Sequence, residues 1–380
     1  MRQPRSKPTA LLLGAISIAG WLGCSGCSDD DADDPLLDDT PVLQAALDSL
    51  AQSEVDDMSI LGMGISVRLA DGRVLHASAG HSDPEGSPYD VASTKQVIGS
   101  VTKVYTAVMV MQLVESGLVS LDDTIDGWIA IPRADEITVR MLLNHTSGLA
   151  DHEMLMSEDD YSVAWSPREL VQIAVDAGQV ANPGENVARY SNTNYVVLGL
   201  IVEAVTGRSW QQNLAERISA PLGLEHTFYA GDPEGAEGLA GGWIHTQDGW
   251  ISSLTRLDPS FGWATGSMVA TNEEVTAFAR AFFAGELFDS PETLERMLSF
   301  DVPMAPEFLG GQPPTTLGLC VMRVDADGVA LVGHLGHAPG YATAMLRDPE
   351  TGALIVVTSN TQGALPGWTV LKIAQFLRAR

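Results

Sequence analysis

The chain has 380 residues, 45% of them hydrophobic and 18% charged, and carries a formal net charge of −28 at pH 7. A surface this acidic repels phosphate backbones and anionic headgroups, which excludes nucleic acid as a partner, while acidity spread this broadly identifies no substrate. There is ample apolar material for a large core, and three cysteines provide no disulfide framework to replace one.

Residues 1–27 read as an export segment, with Arg2, Arg5 and Lys7 ahead of an apolar stretch from Ala10 to Leu22 that is short for a membrane span. It ends in Leu22-Gly23-Cys24-Ser25-Gly26-Cys27, which looks like a lipoprotein processing site and makes Cys24 and Cys27 the candidate lipid-attachment residues. A metal or disulfide site there is disfavoured, because Cys320 is the only other cysteine. Residues 28–40 hold seven aspartates and no aromatic or basic residue, the composition of a solvated tether. The folded part is then 41–380, in a periplasmic or cell-envelope protein that touches the membrane through a lipid anchor only.

Gly62 to Arg68 alternates, turns at Asp71-Gly72 and resumes from Arg73 to Ala77, a hairpin pattern. The middle of the chain is mostly helical in pattern: Val104 to Val114, Ser166 to Ala177, Tyr195 to Thr206 stopped by Gly207, and Asn272 to Phe283 with Thr271 and Glu274 in capping-box spacing. Strand patterns return over Leu317 to Val324, Val329 to Gly333, Tyr341 to Leu346 and Ala353 to Ser359, before an amphipathic helix after Pro366. Strands at both ends around a helical middle predict an α/β (α+β) fold: one antiparallel sheet built from both chain ends, with a helical lobe inserted. A cleft between the lobes is the natural site.

Three segments carry chemistry. In Ser100-Val101-Thr102-Lys103 a hydroxyl precedes an amine by three residues, so one helix face brings Oγ and Nζ together as nucleophile and base. The apolar run that follows buries the helix, and burial lowers a lysine pKa toward the neutral form. In Tyr190-Ser191-Asn192 the phenol can relay a proton and the amide can fix a lysine or a substrate amide. In His334-Leu335-Gly336-His337 the first histidine can supply a donor, and Gly336 lets a substrate backbone lie close to the strand. A metal at His334 and His337 is disfavoured, since no carboxylate or further histidine stands at ligand spacing, and no cofactor is implied. Read singly, each of the last two segments is an ordinary packed loop or strand.

Together and in this order the three segments, with Leu142-Leu143-Asn144-His145-Thr146-Ser147-Gly148-Leu149, resemble the serine β-lactamase-like family of class C β-lactamases, D-alanyl-D-alanine carboxypeptidases and related esterases. The resemblance runs from about Leu43 to the C-terminus and implies a β-lactamase/transpeptidase-like fold. It implies Ser100 as acylated nucleophile, Lys103 as general base and Tyr190 as proton relay. It also implies Asn192 orienting the substrate, His334 supporting Tyr190 electrostatically, and an oxyanion hole from the N–H groups of Ser100 and His337. Whether lysine or tyrosinate is the base stays open at this level, and the His145 to Gly148 segment reads as a structural turn.

Two departures bear on substrate. Leu335 stands where such enzymes usually carry a hydroxyl, and Cys320 follows Leu317-Gly318-Leu319 where a carboxylate-binding arginine is often found. Arg323 is the nearest guanidinium, on the strand face opposite Cys320. The expected activity is acyl-enzyme hydrolysis of a small-molecule or peptide substrate, such as a peptidoglycan peptide. A D-alanyl-D-alanine carboxypeptidase-like peptidase comes first, and an ester hydrolase or β-lactamase second. The competitor of a different class is a non-catalytic penicillin-binding-type sensor, against which intact Ser100, Lys103 and Tyr190 count. No G-x-S-x-G elbow occurs, which removes the α/β-hydrolase alternative.

Overall fold

The computed structural model describes residues 39–255, 257–309 and 313–380. The proposed export segment, Cys24, Cys27 and the tether up to Asp38 lie outside these residues. The chain separates into Met1–Pro41 and Val42–Arg380, and the second unit holds the fold. No helix among the described residues is long and apolar enough to cross a membrane.

The strands, in chain order, are β1 (Gly62–Arg68), β2 (Val74–Gly80), β3 (Gln96–Val97), β4 (Phe228–Tyr229), β5 (Trp243–Thr246), β6 (Gly249–Ser252) and β7 (Met268–Ala270). They continue as β8 (Val302–Pro303), β9 (Thr315–Leu317), β10 (Met322–Ala326), β11 (Val329–Ala338), β12 (Tyr341–Arg347) and β13 (Leu354–Ser359). The longer helices are α1 (Thr40–Met58), α2 (Thr102–Glu115), α3 (Pro167–Ala177), α4 (Thr193–Thr206), α5 (Asn272–Phe283) and α6 (Pro366–Arg378). The main sheet is antiparallel in the order β2-β1-β13-β12-β11-β10-β9-β8, so strands from the two chain ends meet where β1 pairs with β13. Two small sheets, β3-β7-β4 and β5-β6, complete the strands.

Alternation along the sheet sorts its residues onto two cores. Ile355 and Val357 of β13 pack with Leu43 and Leu47 of α1 and Val370 and Ile373 of α6, whereas Val356 faces the other way, into the helical core with Val108 and Phe278. Glu54 of α1, itself buried, accepts hydrogen bonds from Thr369 Oγ1 (3.1 Å) and Lys372 Nζ (2.5 Å), which ties the first long helix to the last.

The helix signals act locally. Ser166 and Glu169 close a reciprocal cap on α3, and Gly207, with φ 68°, ends α4 in the left-handed conformation where a Cβ is costly. At α5, Thr271 caps as its spacing predicts, but the Glu274 carboxylate reaches instead to the backbone of Glu225 and His226 and the hydroxyl of Thr227. The stretch Leu317 to Val324 is two strands rather than one: the chain turns over Gly318 to Val321, with Cys320 at φ 78°. Thr40, placed with the tether by composition, begins α1.

Candidate active site

Ser100 sits in a single 3-10 turn, Gly99–Val101, that runs straight into α2. That turn is pressed against β11. A Cβ on Gly336 would stand 2.1 Å from Ile98 O and 3.1 Å from Ser100 N, and one on Gly99, where φ is 55°, would meet the backbone of His337 at 2.6 to 2.7 Å. The two glycines therefore let the nucleophile's turn and the strand touch. The room that glycine leaves at position 336 is taken up by the chain's own backbone, a reason for the residue besides the expected approach of a substrate.

α2 is buried nearly all round and carries Lys103 inward, where its Nζ donates to Ser100 Oγ (2.9 Å) and to Thr265 O (2.8 Å). Thr106, three residues on, donates to Ala264 O (2.8 Å) and so fixes the segment that presents the Thr265 carbonyl. Burial brings the Lys103 pKa down to about 8, against the opposing pull of Glu153 and Asp151. The Tyr190 phenol lines the cavity with Ser100, and burial raises its pKa well above the usual value, so it stays protonated. Lysine, not tyrosinate, is then the group poised to accept a proton near neutral pH.

His334 is fully buried and its Nδ1 lies 2.6 Å from Leu335 O. A carbonyl only accepts, so Nδ1 carries the proton and Nε2 is a lone-pair acceptor; it has no partner among the described residues. Burial and the nearby Lys103 charge take the His334 pKa down to about 3. The expectation that His334 supplies a donor or a positive field for Tyr190 is thus overturned. Their rings stand 6.4 Å apart, and the imidazole is neutral.

Of the two partners expected for Asn192, a lysine or a substrate amide, Lys103 is not engaged: Nδ2 donates to both oxygens of Asp151 (3.2 and 3.1 Å), and its backbone N–H donates to Asp151 Oδ1 (3.2 Å), while the residue lines the cavity described below. β11 pairs with β10 only up to Met322↔Gly333, so beyond Gly333 that edge of β11 carries no strand. Antiparallel pairs alternate between bonded and unbonded; with Ala338↔Tyr341 closing the turn, the His337 N–H points to this open side, beside Ser100.

Residues the sequence reading did not single out complete the corner. His145 stacks on Tyr190 (ring centroids 4.3 Å apart), and its Nδ1 accepts from Ser191 N–H and Asn194 Nδ2, both at 3.1 Å. Its neighbour Ser147 is structural, bonded to Asn194 Oδ1 (2.5 Å). Asp151 and Glu153, flanking His152, were missed because two acids in an acidic chain carry no signal by themselves.

A cavity of about 630 Å³ opens on Ser100, Tyr190, Asn192, His334, Leu335 and His337, with Asp151 and Glu153 on one wall. Its apolar lining residues include Met322, Val324, Leu346, Trp368 and Leu371. Leu335 lines the cavity and lies against α6, close to Gly367. Arg323 is not a lining residue; it pairs with Asp325 at 3.2 Å on the exposed side of β10. Cys320 is buried, with its thiol pushed up to about 12 by burial, so it is an inert packing residue. Among the described residues no group of three histidines, cysteines or carboxylates is placed to hold a metal.

A serine hydrogen-bonded to a buried amine, with a buried phenol in the same cavity and a free strand edge of an antiparallel sheet beside it, defines a serine acyl-transfer centre of the β-lactamase/transpeptidase kind. Residues 47–380 match the Beta-lactamase family, and the chain belongs to it. Penicillin-binding protein 4* of Bacillus subtilis (strain 168) is 25% identical over 310 residues, 76% of this chain and 66% of that protein. Penicillin-binding protein 4 of Amycolatopsis lactamdurans is 40% identical over 137 residues, 34% of this chain and 35% of that one. The chain thus spans between a third and two thirds of these curated relatives. Among solved structures it resembles D-amino acid amidase from Ochrobactrum anthropi SV3 complexed with L-phenylalanine, with TM-score 0.80 and 29% identity over 89% of this chain and 99% of that one. It also resembles a D-stereospecific amidohydrolase from Streptomyces sp., with TM-score 0.73 and 25% identity over 87% and 97%.

Proposed function

We propose that the chain hydrolyses an amide bond through an acyl-enzyme on Ser100. The observation that carries this is the Lys103 amine, buried, 2.9 Å from Ser100 Oγ, and brought down to about 8. Neutral Lys103 takes the Oγ proton as Oγ bonds to the substrate carbonyl carbon, while Thr265 O holds the amine in place. The carbonyl oxygen becomes an oxyanion facing the N–H groups of Ser100 and His337. Tyr190 gives its proton to the leaving nitrogen as the C–N bond breaks, and the Lys103 ammonium, whose Nζ lies 5.1 Å from the centre of the Tyr190 ring, returns a proton to the phenolate. Water then attacks the ester by the reverse proton path and releases the acid.

Within this reading, an amidase or peptidase acting on an acyl group without a carboxylate stands first. A D-alanyl-D-alanine carboxypeptidase needs a cation or hydroxyl for the terminal carboxylate, and neither Leu335 nor the outward-facing Arg323 supplies one. The two amidohydrolase structures support the same preference, and ester or β-lactam hydrolysis remains available to the same chemistry. The penicillin-binding relatives support an envelope location, where a lipid on Cys24 or Cys27 would hold the enzyme. A fluorophosphonate probe tests the centre: the adduct is expected on Ser100 and lost in Ser100→Ala. An adduct on Ser147 or Ser191 would overturn the assignment.

A further inference from the structure

Beyond the nucleophile's own corner, two of the carboxylates that line the cavity form no ion pair with any described residue. The Glu153 carboxylate makes no hydrogen bond or ion pair to any described residue, although its side chain lines the cavity. Asp151 binds only neutral donors, namely the Asn192 amide and the backbone N–H groups of Asn192 and Glu153. Across from them His334, fully buried, turns Nδ1 to its neighbour's carbonyl and leaves Nε2, a lone pair, without a donor. No arginine or lysine is among the lining residues. Of the three carboxylates that line the cavity, Glu307 is offset by Arg189 at 3.8 Å, whereas Asp151 and Glu153 form no ion pair with any described residue, and Lys103 behind Ser100 must be neutral to act as base.

We propose that Asp151 and Glu153 are the specificity-determining anchor for a free ammonium group on the acyl side of the substrate, so that the enzyme takes aminoacyl amides or peptides with an open N-terminus. The apolar lining residues Met322, Val324, Leu346 and Trp368 then receive an uncharged side chain. A terminal carboxylate is unwelcome because it would enter a site already lined by three. For its chemistry the inference rests on the serine-hydrolase reading; the binding it predicts does not need turnover.

The test therefore has two arms, both at pH 8, above the Glu153 value of about 7. The first compares kcat/KM for phenylalanine p-nitroanilide and its N-acetyl form, in both enantiomers. Wild type is expected to favour the free amine by about tenfold or more, and Glu153→Gln to cut that ratio at least about fivefold through KM, because a charge-assisted contact is lost. Any change that Glu153→Gln makes to Lys103 acts on both substrates and cancels in the ratio. The second arm uses calorimetry on Ser100→Ala with phenylalaninamide and N-acetylphenylalaninamide, which reads the anchor without catalysis. Equal affinities, or a ratio that Glu153→Gln leaves unchanged, overturn the anchor. Ammonium-selective binding in a protein whose Ser100 never acylates would instead overturn the hydrolase reading and leave the anchor standing.

Discussion

Two buried polar networks lie on the helical side of the main sheet, and they are built on opposite plans. Around Asn272, at the start of α5, every group is matched. Asn272 Nδ2 donates to Gly64 O (3.1 Å), Val356 O (3.3 Å) and Thr358 Oγ1 (3.0 Å), and its Oδ1 accepts from Ser66. The Tyr89 hydroxyl lies 2.7 Å from Gln96 Oε1 and 2.9 Å from Thr358 Oγ1. Around Ser100 and Lys103, by contrast, His145 Nε2 and His334 Nε2 are buried with no partner, and an amine is held where its charged form is disfavoured. A saturated network locks β1 to β13 where the chain ends meet; an unsaturated one keeps capacity for a substrate, at some cost in stability.

The comparison makes opposite demands on mutants. Lys103→Met keeps most of the volume and removes the amine, so stopped-flow acylation should slow by about 10²–10⁴. Its Tm should hold or rise at neutral pH, because a lysine with a depressed native pKa binds its proton more weakly folded than unfolded. A folded Lys103→Met with near-native acylation would move the base role to Tyr190. Asn272→Ala should do the reverse. It strands buried carbonyls in the sheet and should lower unfolding free energy by about 2–4 kcal/mol in a urea titration, with kcat of the folded fraction nearly unchanged. A large fall in kcat there would mean that the two networks are not separable.

The smallest effect is the pH response. Below about 8, kcat/KM should fall tenfold per pH unit as Lys103 takes up a proton. Stability has its own window. Between the native value of about 8 and the ordinary lysine value, the unfolded chain holds a proton that the native one has lost, so this group makes stability rise with pH across that interval. Lys103→Met should flatten both slopes; a kinetic limb that survives the substitution belongs to another group.

Much of the fold was legible because its signals are short-range. Alternation marked both sheet-forming ends, Gly207 marked the end of α4, and the Ser100 to Lys103 spacing placed two side chains on one helical face. The misses share a cause. Gly318 to Val321 turns because Cys320 N–H bonds to Leu143 O across the fold (2.9 Å), a contact no local pattern shows. His145 looks like a turn residue until Tyr190 is seen stacked on it from 45 positions away.

By itself the sequence named Ser100, Lys103 and Tyr190 as candidates and marked the elements that carry them, since such signals follow from composition, period and neighbours within about one helical turn. Only the tertiary structure decided what those residues are able to do. Protonation, tautomer and partner depend on desolvation and on groups distant along the chain. That is why His334, expected as a donor, is a neutral acceptor, why Gly336 makes room for the turn of Ser100, and why Asn192 bonds to Asp151 and not to Lys103.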